Sequence, residues 1–293
     1  MPELPEVETV RLHLLPEVKG KKITAVKLTL PKQLVTPSPR KFEQLLIGAT
    51  IQDIHRRGKY LLFHLDNQYD LMLHLGMSGR ISIVSPDAPI EKHTHLRISL
   101  GRGEACFARK ARIELRFIDP RQFGKIGLMP HGDYHAVPGL AELGIEPFDK
   151  NFTLATLKEL LSCKRKMKPL LLDQTKIAGI GNIYADESLY AARIHPETMS
   201  CKLTKLQLRK LHQAIPSILK KSIKFQGTTL VDEGYTNPRG ESGRFIKFLK
   251  AYGHEDDPCP NCGTPIKRIV ISSRSSFFCP QCQPKKLTSK SRR

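Results

Sequence analysis

Four cysteines near the C-terminus place the strongest constraint on how this chain can fold. They form two Cys-x-x-Cys pairs, Cys259/Cys262 and Cys279/Cys282, with sixteen residues between the pairs. Two such pairs can supply four thiolates to one tetrahedral zinc ion, and chance or disulfide pairing explains this spacing poorly. Because four cysteines leave no open coordination position, the predicted Zn²⁺ is structural, and it holds a β-hairpin that is too small to fold alone.

The net charge indicates the class of partner. The 293 residues include 48 Lys+Arg and 28 Asp+Glu, so the formal net charge is +20. A charge of this size suits a polyanion, and nucleic acid is the leading candidate. An anionic membrane is a weaker candidate because the basic residues do not lie opposite a clean apolar helix face. A generically basic protein is the third interpretation.

Several features predict a cytoplasmic protein. The N-terminal MPELPEVETV is acidic and proline-rich, whereas a secretory signal has a basic start and an apolar run. No stretch approaches the ~18 apolar residues of a membrane span. Cys106, Cys163 and Cys201 are scattered, which does not suit a secreted disulfide scaffold, and we interpret them as inert thiols.

The order of secondary-structure signals predicts an α+β protein with more than one domain. Residues 2–15 have the apolar spacing of a helix, with Pro5 in its first turn. Short β-rich runs then fill residues 22–129, separated by turn residues, as in an antiparallel sandwich or barrel. Helices follow a linker rich in Pro and Gly. Pro216 is expected to kink or split the helix over 204–225.

A second local motif, GIGNIYADE at residues 179–187, combines glycines with the start of a predicted helix. Backbone amides there can approach an anion, the helix N-terminus favours phosphate, and Asn182 adds a side-chain amide. Residues 153–225 carry 14 Lys/Arg and 5 Asp/Glu. A phosphate-binding turn and a turn that merely packs closely are both compatible with this motif.

The N-terminus carries a third signal. Removal of Met1, which a small second residue permits, would leave Pro2 with a free amine at the start of the predicted helix. An α-amine titrates near ~7.7–8.0, and the positive end of a helix lowers its pKa further, so a neutral nucleophile would be available. Glu3 and Glu6 are close enough in sequence to carry protons. A proline without a function is the alternative interpretation.

Taken in order, MPELPEVETV, LGMSG, DPRQFG, GIGNIYADE and the paired cysteines closely resemble the bacterial formamidopyrimidine-DNA glycosylase (Fpg/Nei) family, from the first residue to about Gln283. The resemblance implies a monomeric bifunctional DNA glycosylase/AP lyase of base-excision repair. Such an enzyme excises oxidised purines (8-oxoguanine, formamidopyrimidines) from duplex DNA and cuts the strand by β,δ-elimination through a Schiff base. The implied architecture is an N-terminal antiparallel β-sandwich, then a helix–two-turn–helix domain with a β-hairpin zinc finger.

With this resemblance the chain is expected to divide into six parts. They are a catalytic sandwich with its leading helix (1–131), a linker (132–151), the helix–two-turn–helix domain (152–226), a lesion-capping loop and return segment (227–248), the four-cysteine finger (249–283) and a basic tail (284–293).

The resemblance also implies roles for individual residues in catalysis. Pro2 corresponds to the Schiff-base nucleophile, Glu3 to its acid/base partner and Glu6 to a further active-site carboxylate. Lys59, in RRGKYLLF, is similar to the family lysine that contacts the phosphates around the lesion.

Other positions are implied to bind DNA. Met77 in LGMSG, with Arg121 and Phe123 in DPRQFG, resembles the triad that fills the hole left by an extruded base. Four more residues are expected to contact phosphates, namely His93 (although His95 lies nearby), Lys168, Asn182 and Arg274.

Two other functions compete with this interpretation. An endonuclease VIII-type relative would act on oxidised pyrimidines, although MPELPEVE, LGMSG and the long 227–245 loop favour the purine enzyme. A zinc-finger damage sensor without catalysis would explain the charge and the zinc motif equally well. Only Pro2, Glu3 and Glu6 argue against the sensor.

Overall fold

A computed structural model describes residues 1–101, 112–230 and 235–285. The chain forms two compact units. The first contains Met1–Glu142 and Ser222–Ile246, and the second contains Leu143–Lys221 and the chain from Lys247 onward. Residues 222–246 thus belong to the same unit as the N-terminal part of the chain. The division expected from the sequence, which followed the chain in order, did not group them in this way. Cys106 and most of the basic tail lie outside the described residues.

The first unit contains two β-sheets, and the predicted sandwich is confirmed. One sheet has the strand order β1-β7-β8-β6 and the other β2-β9-β5-β4-β3. All pairs are antiparallel except β2 with β9, a short parallel pair at a sheet edge. The elements are α1 (Leu4–Val18), β1 (Lys22–Leu28), β2 (Leu34–Thr36), α2 (Pro39–Leu46), β3 (Ile51–Arg57), β4 (Tyr60–Leu65), β5 (Tyr69–His74), β6 (Arg80–Val84), β7 (Thr94–Gly101), β8 (Ile113–Ile118), β9 (Lys125–Pro130) and α3 (Pro138–Ala141).

One hydrophobic core holds this unit together. In β4, Leu61, Phe63 and Leu65 belong to the core, whereas the alternate residues point to the opposite face, as the two-residue period of a strand requires. Side chains from both sheets and from α1 complete the core, among them Val7, Val10, Leu14, Ile98 and Phe117. The two faces of the five-stranded sheet therefore differ: the face away from this core carries His64 and Asp70 together with the buried Leu62 and Met72.

The second unit is helical and ends in a hairpin. Its elements are α4 (Leu154–Leu160), α5 (Met167–Leu172), α6 (Asn182–Ala192), α7 (Lys205–Lys224), β10 (Lys267–Ile271) and β11 (Arg274–Phe278). Thr153 caps α4, since its Oγ1 accepts a hydrogen bond from the Thr156 amide at 3.1 Å.

Pro216 does not split α7, so that part of the prediction was wrong. A single helix runs from Lys205 to Lys224 with Pro216 inside it. Leu211, Ile215 and Leu219 are completely buried on one face. This apolar burial offsets the backbone hydrogen bond that proline cannot make. Among the residues described, no helix is both long and apolar enough to cross a bilayer.

Candidate functional site

The start of α1 brings two buried carboxylates next to Pro2. Glu3 is the N-cap residue of the helix, and its side chain and that of Glu6 form a reciprocal capping box. The amide of Glu3 donates to Oε2 of Glu6 at 2.8 Å. Both carboxylates are only 2% exposed, and Pro2 is buried beside them. The helix begins at Leu4 rather than residue 2, so Pro2 lies just outside its first turn.

Glu6 also holds the base of the 227–245 segment. Its Oε1 accepts a hydrogen bond from the Thr228 amide at 2.7 Å. Gly227 packs so closely that an added Cβ would lie 2.8 Å from the same oxygen, and its φ of +81° also favours glycine. Any side chain at position 227 would therefore push this carboxylate from its place.

Tyr235 is a third contact between this segment and α1. Its hydroxyl lies 3.3 Å from the carbonyl oxygens of both Glu6 and Gln226, to which it can donate. Burial and the nearby Glu6 carboxylate raise the pKa of Tyr235, which keeps the hydroxyl a donor. Residues 231–234 lie outside the described part of the chain. Sequence reasoning missed Tyr235 because nothing local marks it.

Lys59 lies in the turn between β3 and β4 and is 6% exposed. Desolvation, and then the positive charges of Lys59 and Lys125, lower the pKa of His74 to about 4. The imidazole is therefore neutral at physiological pH. Its Nδ1 accepts a hydrogen bond from the Gly76 amide at 3.1 Å, which places the proton on Nε2. His74 thus fixes the backbone at Gly76, inside the LGMSG motif, a role that the sequence did not reveal.

A buried aspartate, Asp119, ties together the two loops that carry Met77, Arg121 and Phe123. Its Oδ1 accepts a hydrogen bond from Ser78 Oγ at 2.8 Å, and its Oδ2 accepts one from the Gly124 amide at 2.7 Å. Ser78 Oγ in turn accepts from the Arg121 amide at 3.2 Å.

The backbones of these loops touch at Gly76, where a Cβ would lie 2.6 Å from the carbonyl carbon of Phe123. Phe123 is 55% exposed, and the guanidinium of Arg121 lies 5.2 Å from its ring centroid. Met77 is half-buried. The structure therefore gathers these three predicted residues on two joined loops and leaves an aromatic ring facing solvent.

His93 and His95 have different environments. His95 is buried, and its Nε2 lies 3.0 Å from the carbonyl oxygen of Asp119. His93 is half-buried with a positive φ of 65° in the loop before β7. The accessible histidine of the pair is thus His93, the residue expected to contact phosphate.

In the second unit, Lys168 does not occupy the position expected of a phosphate contact. Its side chain is 0% exposed, and its Nζ lies 2.7 Å from Asp186 Oδ1. The same Nζ donates to the carbonyl oxygen of Asn182 at 2.9 Å. Burial raises the pKa of Asp186, and the Lys168 ammonium opposes that shift. We therefore assign Lys168 to holding the start of α6 in place, which corrects the expectation.

Asn182 and Arg274 line one cleft of about 460 Å³ within this unit. Asn182 begins α6, and Arg274 begins β11 at the hairpin tip. The buried Oδ1 of Asn182 has no hydrogen-bond partner in the described chain. A helix N-terminus and a guanidinium thus face one polar space, an arrangement suited to an anion, whereas the amide oxygen of Asn182 is an acceptor and adds no attraction for one.

Two acidic residues of α6 fix the hairpin and the segment before it. Asp186 Oδ2 accepts a hydrogen bond from the Phe277 amide at 3.1 Å. Glu187 accepts from three successive amides, those of Lys250, Ala251 and Tyr252, at 2.9–3.1 Å. Burial raises the pKa of Glu187, and these three bonds partly offset the shift. The two acidic residues belong to GIGNIYADE, but their partners are distant in sequence, so sequence reasoning missed them.

The four C-terminal cysteines meet as predicted. The Sγ atoms of Cys259 and Cys282 are 3.8 Å apart, and Cys262 lies 3.5 Å from both Cys279 and Cys282. Sulfur atoms at ~2.3 Å from a tetrahedral zinc ion would be about 3.8 Å apart. The donor set therefore fits one structural zinc ion, and the prediction of a zinc site is confirmed.

Comparison with protein families and known structures gives a consistent result. Residues 1–126 match the formamidopyrimidine-DNA glycosylase N-terminal domain, residues 143–233 the H2TH domain of the same enzymes, and residues 256–285 the zinc finger found in FPG and IleRS.

Individual proteins match over nearly the full length. Formamidopyrimidine-DNA glycosylase of Pelotomaculum thermopropionicum is 43% identical over 97% of this chain and 99% of its own. That of Herpetosiphon aurantiacus is 44% identical over 97% and 100%. The Lactococcus lactis Fpg bound to DNA with an abasic site has a TM-score of 0.86 at 37% identity, covering 97% of this chain and all of that one. MutM bound to DNA with carbocyclic 8-oxo-G has a TM-score of 0.86 at 36% identity, with the same coverage.

Loss of one zinc ligand should unfold the hairpin locally. We expect Cys279→Ser to abolish zinc retention and to speed amide hydrogen exchange across β10 and β11, since the module has little other core. Exchange in the first unit should not change. The measurements are zinc content by atomic emission and exchange by mass spectrometry. Cys201→Ser, which alters an exposed cysteine, is the matched control. Full zinc retention in Cys279→Ser would contradict the assignment.

Proposed function

Because this chain belongs to the formamidopyrimidine-DNA glycosylase family, we propose that it is a bifunctional glycosylase/AP lyase that excises oxidised purines from duplex DNA. The observation that carries the catalytic part of this proposal is the pair of buried carboxylates, Glu3 and Glu6, at the helix start beside Pro2. Two carboxylates can carry protons during catalysis. A protein that only binds DNA would gain nothing from them, because their negative charge repels phosphates.

Pro2 is the proposed nucleophile. Once Met1 is removed, its nitrogen is a secondary amine. The amine attacks the sugar C1′, a C–N bond forms to the protein, and the bond to the damaged base breaks, so that the base leaves with a proton. Opening of the sugar ring gives an iminium ion. Loss of a proton from C2′ then expels the 3′ phosphate, and a second elimination expels the 5′ phosphate.

Glu3 is the proposed proton carrier for these steps. It is adjacent to Pro2, and its place in the capping box fixes its carboxylate at the head of α1. Glu6 is proposed to position Glu3 through the capping box. It also positions Thr228 at the base of the proposed lesion-capping loop. Lys59, in the β3–β4 turn, is proposed to bind the phosphates beside the lesion.

The loops joined by Asp119 are proposed to enter the duplex. Met77 and Phe123 are apolar and can occupy the space left by an extruded nucleotide, while Arg121 hydrogen-bonds the orphaned base. The exposure of Phe123 supports this role, because an aromatic ring open to water gains from insertion between bases.

Phosphate binding is proposed for His93 in the first unit and for Asn182 and Arg274 in the second. The cleft that Arg274 shares with the N-terminus of α6 at Asn182 supports the second pair. The bacterial relatives and the net charge of +20 support a cytoplasmic protein that associates with chromosomal DNA. The zinc finger would present Arg274 to the duplex.

Reduction should trap the covalent intermediate on Pro2. Borohydride added during turnover of a lesion duplex reduces the iminium ion to a stable adduct, and peptide mapping should place that adduct on Pro2. A lysine amine starts with a pKa about 2.5 units higher and is mostly protonated at neutral pH. Glu3→Gln should slow base release by about 10²-fold or more, with a smaller effect on a preformed abasic site. An adduct on Lys59 would rule out the Pro2 mechanism.

Lesion preference separates the proposed enzyme from its rivals. Duplexes with 8-oxoguanine opposite C should be cut faster than duplexes with thymine glycol opposite A, as measured by strand scission under single-turnover conditions. Faster cutting of thymine glycol would favour an endonuclease VIII-type enzyme. Tight binding of both duplexes without scission would favour a damage sensor.

Salt dependence tests the phosphate contacts. We expect Lys59→Ala and Arg274→Ala each to reduce the slope of log affinity against log salt by roughly 0.9, because each removes one neutralised phosphate. Arg40→Ala is the control, since Arg40 is an exposed cation in α2 with no proposed DNA contact. A slope in either variant equal to that of the control would remove that residue from the DNA interface.

A further inference from the structure

A cluster of imidazole and carboxylate groups occupies the outer face of the five-stranded sheet in the first unit. His64 near the end of β4 pairs across the ladder with Asp70 near the start of β5. His131 follows β9, the strand on the other side of β5. Lys59 lies five residues before His64, about 16 Å along an extended chain. The cluster therefore lies away from Lys59 along β4, and it contains none of the proposed catalytic residues.

Asp70 is the centre of this cluster. The Nδ1 of His64 hydrogen-bonds Oδ1 of Asp70, and the Nδ1 of His131 lies 3.0 Å from the same oxygen. The hydroxyl of Tyr134 donates to Oδ2 at 3.0 Å. One ligand atom from each of His64, Asp70 and His131 lies within 4.8 Å of the other two.

The chemical state of these groups suits a cation. The carboxyl of Asp70 is surrounded by hydrogen-bonding groups, namely the imidazoles of His64 and His131 and the hydroxyl of Tyr134. Each imidazole presents Nδ1 to it, and replacement of the shared protons by a metal ion would turn two hydrogen-bond donors into two ligands.

One of the two imidazole–carboxylate pairs already has the spacing of metal ligands, and the site is accessible. Ligands about 2.0–2.1 Å from a metal ion and at right angles to each other are roughly 3 Å apart, close to the separation of His131 Nδ1 from Asp70 Oδ1. The contact of His64 Nδ1 with the same oxygen is shorter than this, so the His64 imidazole must move outward when an ion binds. Tyr134 holds the second carboxylate oxygen, as outer hydrogen bonds do at metal sites. Asp70 is completely buried, whereas the His131 side chain is 55% exposed, so an ion can enter from solvent and keep water ligands.

We propose that His64, Asp70 and His131 bind a divalent transition-metal ion. Two imidazoles and one carboxylate form a donor set that suits Zn²⁺, Fe²⁺, Ni²⁺ or Cu²⁺. The site lies in the first unit, whereas the zinc-binding cysteines lie in the second, and it does not depend on the proposed glycosylase activity.

The experiment is a titration of Zn²⁺ into the full-length protein that already carries its cysteine-bound zinc. Calorimetry at pH 7.5 should record one further ion per chain. His131→Ala should weaken this binding tenfold or more. His135→Ala, which removes an exposed histidine four residues further along the same segment, should leave it unchanged. Because His131 is exposed, its variant is expected to fold even if Asp70→Asn does not.

A Co²⁺ titration of the same zinc-loaded protein identifies the ligands. Binding at the proposed site should give weak visible bands without the intense near-ultraviolet absorption of a thiolate–cobalt bond, and His64→Gln should remove those bands. If the wild-type protein binds no metal ion beyond its cysteine-bound zinc, the proposal is overturned. Equal affinity in wild type and His131→Ala would also overturn it, because the cluster would then be only a hydrogen-bond network.

Discussion

One buried carboxylate, that of Glu6, links the two chain segments that make up the first unit, Met1–Glu142 and Ser222–Ile246. It accepts hydrogen bonds from the amide of Glu3, three residues earlier, and from that of Thr228, 222 residues later. Burial of a carboxylate is costly unless donors surround it, and the positive end of α1 supplies a further favourable field. The group therefore positions the proposed nucleophile and the base of the capping segment together, so neither can move far without the other.

The second unit uses acidic side chains in a similar way. Asp186 and Glu187, adjacent on α6, accept amide hydrogen bonds from β11 and from the segment at 250–252. Lys168 balances the charge of Asp186 from inside the unit. The helix that begins at Asn182 is consequently fixed to the hairpin that begins at Arg274. Zinc keeps the hairpin folded, and α6 determines where within the unit its tip lies.

Much of the fold and part of the site could be predicted because their signals are local. Cysteine spacing located the metal site, strand signals separated by turn residues indicated the sandwich, and Pro5 marked the first turn of α1. Residues that act through distant partners escaped prediction, since no spacing relates Asp119 to Ser78 or Glu187 to Ala251. Lys168 and the effect of Pro216 were misjudged for a related reason, because the burial of Lys168 and of the apolar face of α7 is a property of the tertiary structure.

The role of Asp119 has a mechanical consequence. The two loops bearing Met77, Arg121 and Phe123 share this one carboxylate, so their backbones are coupled rather than independent. If the loops enter the duplex as proposed, a coupled pair adapts little to each base pair that it meets. The DNA would have to deform instead, and sites where stacking is already weak deform most easily. During a search along the genome, discrimination would then begin with the local stiffness of the double helix, before any atom of the damaged base is touched.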